Sequence, residues 1–311
     1  MPKSIKIINY KLMKIKNEIK AYIMLVLCTA FWSGNFIVGK IATLFEIPPI
    51  TLNFYRWFIA WILLAPFTLK EMIQNWNVIK SNFLSITIMA FTSISVFNSV
   101  VYYALNYTQV LNGVLMISTI PVLIIFFSSI FKTEKTNIFQ ILGVAVSLCG
   151  VIIIITKMEL ERLIHLQLNK GDLWMLVAML SWATYSIMMK EKKINLKPFV
   201  LLQTLITIGV LFLAPMYFVE IINGQYLNLN VPVILTIGYV VVFAGIGAYI
   251  FWNGAVLLIG PNRAGIFLHL MPVFSALMAI FLLGEKFANY HFYGALFIIF
   301  GIFLSSKKIL R

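Results

Sequence analysis

Apolar residues in this chain come in runs that are too long for strands and too uniformly apolar for the helices of a soluble protein. Each run ends at a short cluster of polar, charged or proline residues. A helix rises about 1.5 Å per residue, so roughly 20 mostly apolar residues cross about 30 Å of hydrocarbon. Ten stretches reach that length, at about residues 21–40, 49–69, 83–105, 110–131, 137–156, 172–190, 198–219, 231–252, 263–283 and 288–306. Only Asn106-Tyr107-Thr108-Gln109 separates the third from the fourth, but the two together are too long for one crossing. A soluble helix would need polar positions recurring at a period near 3.6, and stretches such as Val144–Ile155 and Leu296–Leu304 present no polar face. The expected fold is an all-α membrane protein with ten transmembrane helices.

Composition agrees with lipid as the solvent. Of 311 residues, 61% are hydrophobic and 11% charged, against roughly 25% charged in soluble domains. The net charge of +14 would suggest nucleic acid for a soluble chain. Here the charges lie between apolar runs, as they do when cytoplasmic loops are basic. Placing the N-terminus inside gives the cytoplasm the leader lysines together with Lys70, Lys132, Lys135, Lys190, Lys192, Lys193 and Arg263. That asymmetry predicts a multi-pass protein of the cell (inner) membrane with both termini cytoplasmic. Cys28 and Cys149 both fall inside apolar runs, so neither a disulfide framework nor a metal site is expected. The lysine-studded first twenty residues lack a small-residue cleavage site and read as a leader into the first span.

The halves align with an offset near 150. Trp32-Ser33 corresponds to Trp182-Ala183, Leu64-Ala65-Pro66 to Leu213-Ala214-Pro215, and Pro121 to Pro272. Thr133-Glu134-Lys135 corresponds to Gly284-Glu285-Lys286, and Gly143 and Gly150 to Gly294 and Gly301. The expected organisation is a basic segment (1–20), one five-helix unit (21–156), an external linker (157–171), a second unit (172–306) and a basic tail (307–311). A unit with an odd number of crossings forces its copy to enter from the opposite side. The repeats are therefore expected to be inverted around a central cavity, the arrangement on which many alternating-access carriers are built.

Several of these elements resemble the drug/metabolite transporter superfamily, EamA type. They are Phe31-Trp32-Ser33-Gly34-Asn35-Phe36, Phe54-Tyr55-Arg56-Trp57, and two proline-containing fourth helices each followed by an acidic-basic pair, Glu134-Lys135 and Glu285-Lys286. The resemblance covers residues 20–306. It implies a basket of ten helices around a cavity, and bacterial members of that family often export amino acids or other small metabolites. No motif fixes the solute.

Candidate solute-binding residues follow from polar and aromatic groups at membrane depth. Arg56 lies about two turns into the second helix. A central charge there costs roughly 2.5–3.5 kcal/mol on insertion scales, so it faces the cavity and attracts an anionic group such as a carboxylate, or else snorkels outward or pairs structurally with a helix end. Trp32 and Asn35 share one helical face, as do Trp182 and Tyr185. Their rings suit stacking and cation–π contact with a solute, or else an interfacial belt. Asn98 and Tyr102 on the third helix, Trp252 and Asn253 on the eighth, and Gln203 on the seventh must find polar partners, either a solute or a neighbouring helix. His269 is the one histidine inside a span, open to proton coupling or to plain hydrogen bonding. No Asp or Glu lies deep in any span, so facilitated diffusion or solute exchange is the default expectation.

The paired prolines and glycines suggest bending points, and Gly143/Gly150 and Gly294/Gly301 suggest a packed seam, at the repeat interface or between two copies. An intramembrane enzyme would need a nucleophile with a base, or paired acids, at depth. A channel would need charged rings or a filter loop. The expected partners are a small-molecule solute and the bilayer, with no cofactor or nucleic acid, in a monomer or homodimer. A broad-specificity drug or amine exporter remains the alternative within the transporter class.

Overall fold

The computed structural model describes residues 3–108, 110–159, 161, 169–283 and 286–307, and among these the regular elements are all helices. The main ones are α1 (Lys3–Leu44), α2 (Pro49–Gln74), α3 (Phe83–Ala104), α4 (Val110–Ile117 continued by Ile120–Ile130) and α5 (Ile138–Thr156). They are followed by α6 (Lys170–Glu191), α7 (Pro198–Ile222), α8 (Val231–Ile259), α9 (Pro261–Phe281) and α10 (Asn289–Ser306). Among the described residues, nine helices, α2 to α10, are long and apolar enough to cross a membrane. Expectations for Gln109, Gly284, Glu285, much of the 157–171 linker and the tail beyond residue 307 fall outside the described residues.

The basic leader is continuous with the first helix, since α1 is 42 residues long and begins at Lys3. Its lysines, isoleucines and methionines are adequate helix formers, and neither glycine nor proline interrupts the run before Gly34.

Two kinds of irregularity shape the middle of the molecule. α3 is wound as a π-helix over Phe91–Phe97, and α8 over Val240–Gly247. These segments lie at matching points of the two halves. α4 breaks at Ser118-Thr119, ahead of Pro121, and α9 tightens to a 3₁₀ turn over Ile266–His269, ahead of Pro272. Proline lacks an N–H and its ring crowds the carbonyl four residues earlier, so both departures fall where the chemistry requires them. Pro66 and Pro215 lie within α2 and α7, which run on through them.

The pairing of helices repeats between the halves. α1 packs on α8 and α9, as α6 packs on α3 and α4, while α2 pairs with α7 and α5 with α10. α5 and α10 are antiparallel and touch through their glycines. A Cβ at Gly143 would lie 2.5 Å from the Gly301 carbonyl, and one at Gly150 would lie 2.6 Å from that of Gly294. Without side chains the two backbones meet directly, so the expected seam joins the two halves of one chain. α2 and α7 are antiparallel too, because Thr51 meets Glu220 near one end and Trp61 donates to Thr207 at 2.9 Å further along.

Candidate functional site

Winding α8 as a π-helix leaves a carbonyl available at its centre. The N–H of Ala248 goes to Phe243 and Gly245, bypassing Ala244. The Ala244 carbonyl instead accepts from Arg56 Nη2 at 2.8 Å and from the Trp32 indole N–H at 3.1 Å. In α3 the carbonyl of Ser93 accepts from the Tyr249 hydroxyl at 2.6 Å, and that of Ile94 accepts from Asn53 Nδ2 at 3.0 Å. Both π segments thus turn backbone acceptors toward the middle of the bundle, where π-bulges in helices frequently mark function.

A small cavity of about 40 Å³ lies beside them, with Trp32, Asn35, Asn98, Tyr102 and Trp182 forming its aromatic and polar wall. Phe97, Val101, Leu105, Ile117, Ile120, Leu268 and Met271 complete it. The last four sit next to the two proline breaks, which is why α4 and α9 can open a space there. Beneath it the rings form a plug. Trp32 meets Trp182 edge-on at 5.1 Å between centroids, and Trp252 tilts against both at 5.6 Å.

Arg56 is 1% exposed and stands immediately behind this wall. Its Nη1 donates to Asn98 Oδ1 and to the Tyr102 hydroxyl, both at 3.0 Å, and Tyr102 in turn donates to Asn35 Oδ1 at 3.2 Å. The guanidinium lies 5.0 Å from the Trp57 ring, and among the described residues its Nε has no partner. Among the described residues every group that Arg56 bonds is neutral, so its charge is solvated by dipoles and not cancelled.

The other sequence-predicted residues lie away from the cavity wall. Tyr185 donates to Asn253 Oδ1 at 2.6 Å under the aromatic plug, where both are buried. Gln203 reaches the Trp61 carbonyl at 3.4 Å, between α7 and α2. His269 bridges three helices, with Nε2 donating to the Ser118 carbonyl at 2.9 Å and Nδ1 paired with Ser147 Oγ at 2.6 Å. Ser118 belongs to the break before Pro121, so His269 ties α9 to the backbone of that break.

The two ends of the bundle differ. On one side Tyr102 and Leu105 also border an open vestibule of about 540 Å³, formed with Glu46, Pro48, Asn106 and Gln225. At the lysine-rich end the helices are tied together. Glu134 accepts from the Asn262 N–H at 3.2 Å, Asn262 Nδ2 donates to Thr136 at 3.3 Å, and Lys190 donates to the Leu257 carbonyl at 2.7 Å. Arg263 pairs with Glu18 at 3.3 Å and donates to the Tyr22 hydroxyl at 2.5 Å. Burial raises the Glu134 carboxyl above the usual carboxylate range, outweighing the Asn262 N–H, Lys190 and Arg263, which all pull it down.

Sequence reading placed no carboxylate deep in a span, yet two at span ends are buried, Asp172 (3% exposed) and Glu220 (9%). Asp172 belongs to a capping box with Asn169 and accepts from Thr108 at 2.6 Å. Glu220 caps α2. Sequence reading also missed the carbonyls of Ser93, Ile94 and Ala244, for which no residue type is diagnostic. The cavity walls at Ile117, Ile120, Leu268 and Met271 could have been inferred from Pro121 and Pro272.

Comparison with known proteins places this geometry. The model of the EamA-like transporter family matches residues 19–156 and again 169–307. An uncharacterized transporter of Archaeoglobus fulgidus is 24% identical over 93% of this chain and 98% of its own length. The uncharacterized transporter YyaM of Bacillus subtilis is 23% identical over 94% and 95%. A riboflavin transporter of Brucella anthropi is 22% identical over 77% and 95%. A solved crystal structure shares the fold at a TM-score of 0.75 and 13% identity, covering 92% of this chain and 95% of the other.

Proposed function

Because this chain belongs to the EamA-like transporter family, we propose that it exports amino acids or related small metabolites by alternating access between two inverted five-helix repeats. The apolar part of α1, about residues 21–40, supplies a tenth crossing alongside the nine of α2 to α10. The observation that carries the reading is the packing map, whose principal helix pairs are kept when the halves are exchanged. Exchange turns the α1–α8 contact into α6–α3 and α1–α9 into α6–α4, and leaves α2–α7 and α5–α10 paired with themselves. Helices that exchange places while running antiparallel are related by a two-fold axis perpendicular to their length. In a bilayer such an axis lies in the membrane plane, which is the inverted arrangement.

In this reading the solute sits in the cavity between the repeats. Trp32, Asn35, Asn98, Tyr102 and Trp182 touch it, and Arg56, Tyr185, Gln203, Trp252, Asn253 and His269 hold that wall in place. The lysine-rich end is cytoplasmic and closed, and the vestibule faces outward. The purified protein in proteoliposomes should give saturable efflux of amino acids or chemically related metabolites in a broad solute screen. Ohmic conductance, or a screen in which no amino acid or related amine moves, would overturn the proposal.

A further inference from the structure

We infer that the transported solute carries a carboxylate or comparable anionic group, and that solutes whose only charge is an ammonium are rejected. This rests on the transport reading and sharpens it, since an amine exporter is the alternative within the same class.

Three observations converge on the same wall. The first is charge. Arg56 carries a guanidinium cation, is 1% exposed, and among the described residues is bonded to neutral acceptors alone. A buried cation without a counter-ion projects its field through low-dielectric surroundings, where it is weakly screened. The second is direction. Two of the three acceptors of the guanidinium, Asn98 and Tyr102, are themselves cavity-wall residues, so the charge lies one side chain behind the cavity surface. The third is the hydrogen-bonding character of the wall. Among the described residues the indole N–H of Trp182, 1% exposed and on the cavity wall, has no partner, and neither does the Nε of Arg56. Among the described residues no carboxylate lines the cavity to receive an ammonium.

An anion entering this space gains the field of Arg56, and the residues around it include an unpaired donor, the Trp182 indole N–H. An ammonium meets the same field with the opposite sign. The remainder of the lining is apolar and aromatic, which fits a hydrocarbon or ring attached to the anionic group. A zwitterionic amino acid is compatible, its ammonium turned toward the Asn35 amide oxygen.

The test uses three solutes that share one phenyl-bearing body and differ in ionic groups, namely 3-phenylpropionate, phenylalanine and phenethylamine. Binding is followed on the detergent-purified protein by quenching of tryptophan fluorescence, and exchange in proteoliposomes. The two carboxylates should bind saturably, and the amine at least tenfold more weakly. Arg56→Gln should remove at least tenfold of that preference, and Arg56→Lys should retain part of it. Equal or tighter binding of phenethylamine by the unmodified protein overturns the inference, and that comparison needs no variant to fold. Binding of none of the three also overturns it, while the broad flux screen judges the transport reading separately.

Discussion

Glu220 stands near the end of α7, yet its carboxylate terminates a different helix. It accepts from the backbone N–H groups of Ile50 at 3.0 Å and Thr51 at 2.6 Å, and from the Thr51 hydroxyl at 2.8 Å. The first N–H groups of any helix lack internal partners, and a negative charge there also meets the positive end of the helix dipole. Glu220→Ala should therefore cost about 2 kcal/mol, seen as a lower thermal unfolding midpoint in detergent, with Glu220→Gln intermediate. An unchanged midpoint would remove the cap from the account. Asn98 plays a different part, since it bonds Arg56 and, through Nδ2, both the Ser93 carbonyl and the Tyr249 hydroxyl at 3.2 Å. Asn98→Leu leaves the guanidinium short of an acceptor on the cavity side. Solute flux should fall by roughly tenfold, about 1.4 kcal/mol, with membrane insertion retained; undiminished flux would take Asn98 out of the site. The polar candidates were legible because an amide or guanidinium at membrane depth needs a reason to be there. Which of them touch the cavity was not, because that depends on how α3 and α8 are wound.

At the scale of elements the α5–α10 seam makes the sharpest demand on sequence. A Cβ at Gly301 would lie 2.5 Å from the Gly143 carbonyl and 2.7 Å from Ser147, and neither backbone can yield without parting the helices. Gly301→Ala should destabilise the protein by about 1–3 kcal/mol. Gly238→Ala, within α8 with nothing near the added carbon, should be neutral or stabilising by up to about 1 kcal/mol. Equal midpoints for the two variants would refute the seam. The seven-residue spacing of these glycines was legible in the sequence as one packed face, but its partner was not. The prolines were half legible: Pro121 and Pro272 disturb their helices while Pro66 and Pro215 leave theirs continuous, and side-chain identity alone does not separate the cases. The π segments were not legible at all, since Phe91–Phe97 and Val240–Gly247 differ in sequence and share only position. Glu134 adds a pH dependence at this scale. Its carboxyl is raised by burial in the folded state, so the folded form binds its proton more readily than the unfolded one. The stability it contributes is complete below the ordinary carboxylate range and is lost as pH rises through the raised value. The wild type should thus gain stability relative to Glu134→Gln as pH falls through the weakly acidic range, measured by thermal unfolding of both proteins across pH. A difference that is flat or of opposite sign would contradict the assignment.

The whole molecule is a bundle whose cavity wall is shared with a vestibule at one end, while contacts between the α4–α5 connection and the α8–α9 junction close the other off from it. A carrier must exchange those roles, because a site accessible from both sides at once would leak. Two polar contacts at that end join segments from opposite halves, Glu134 and Thr136 from the first with Asn262 from the second. Relative motion of the halves breaks both together. The Asn262 amide and Thr136 hydroxyl are within hydrogen-bonding distance at 3.3 Å, so cysteines at both positions can be bridged by a short bifunctional thiol reagent. In a background lacking Cys28 and Cys149, cross-linked Thr136→Cys/Asn262→Cys protein should lose solute flux, and a reductant that cleaves the bridge should restore it. Binding from the vestibule side should survive the cross-link, because the cavity wall lies beyond the tied end. Flux that continues with the bridge intact would mean that this end does not open during transport, and alternating access between these halves would then be the wrong mechanism.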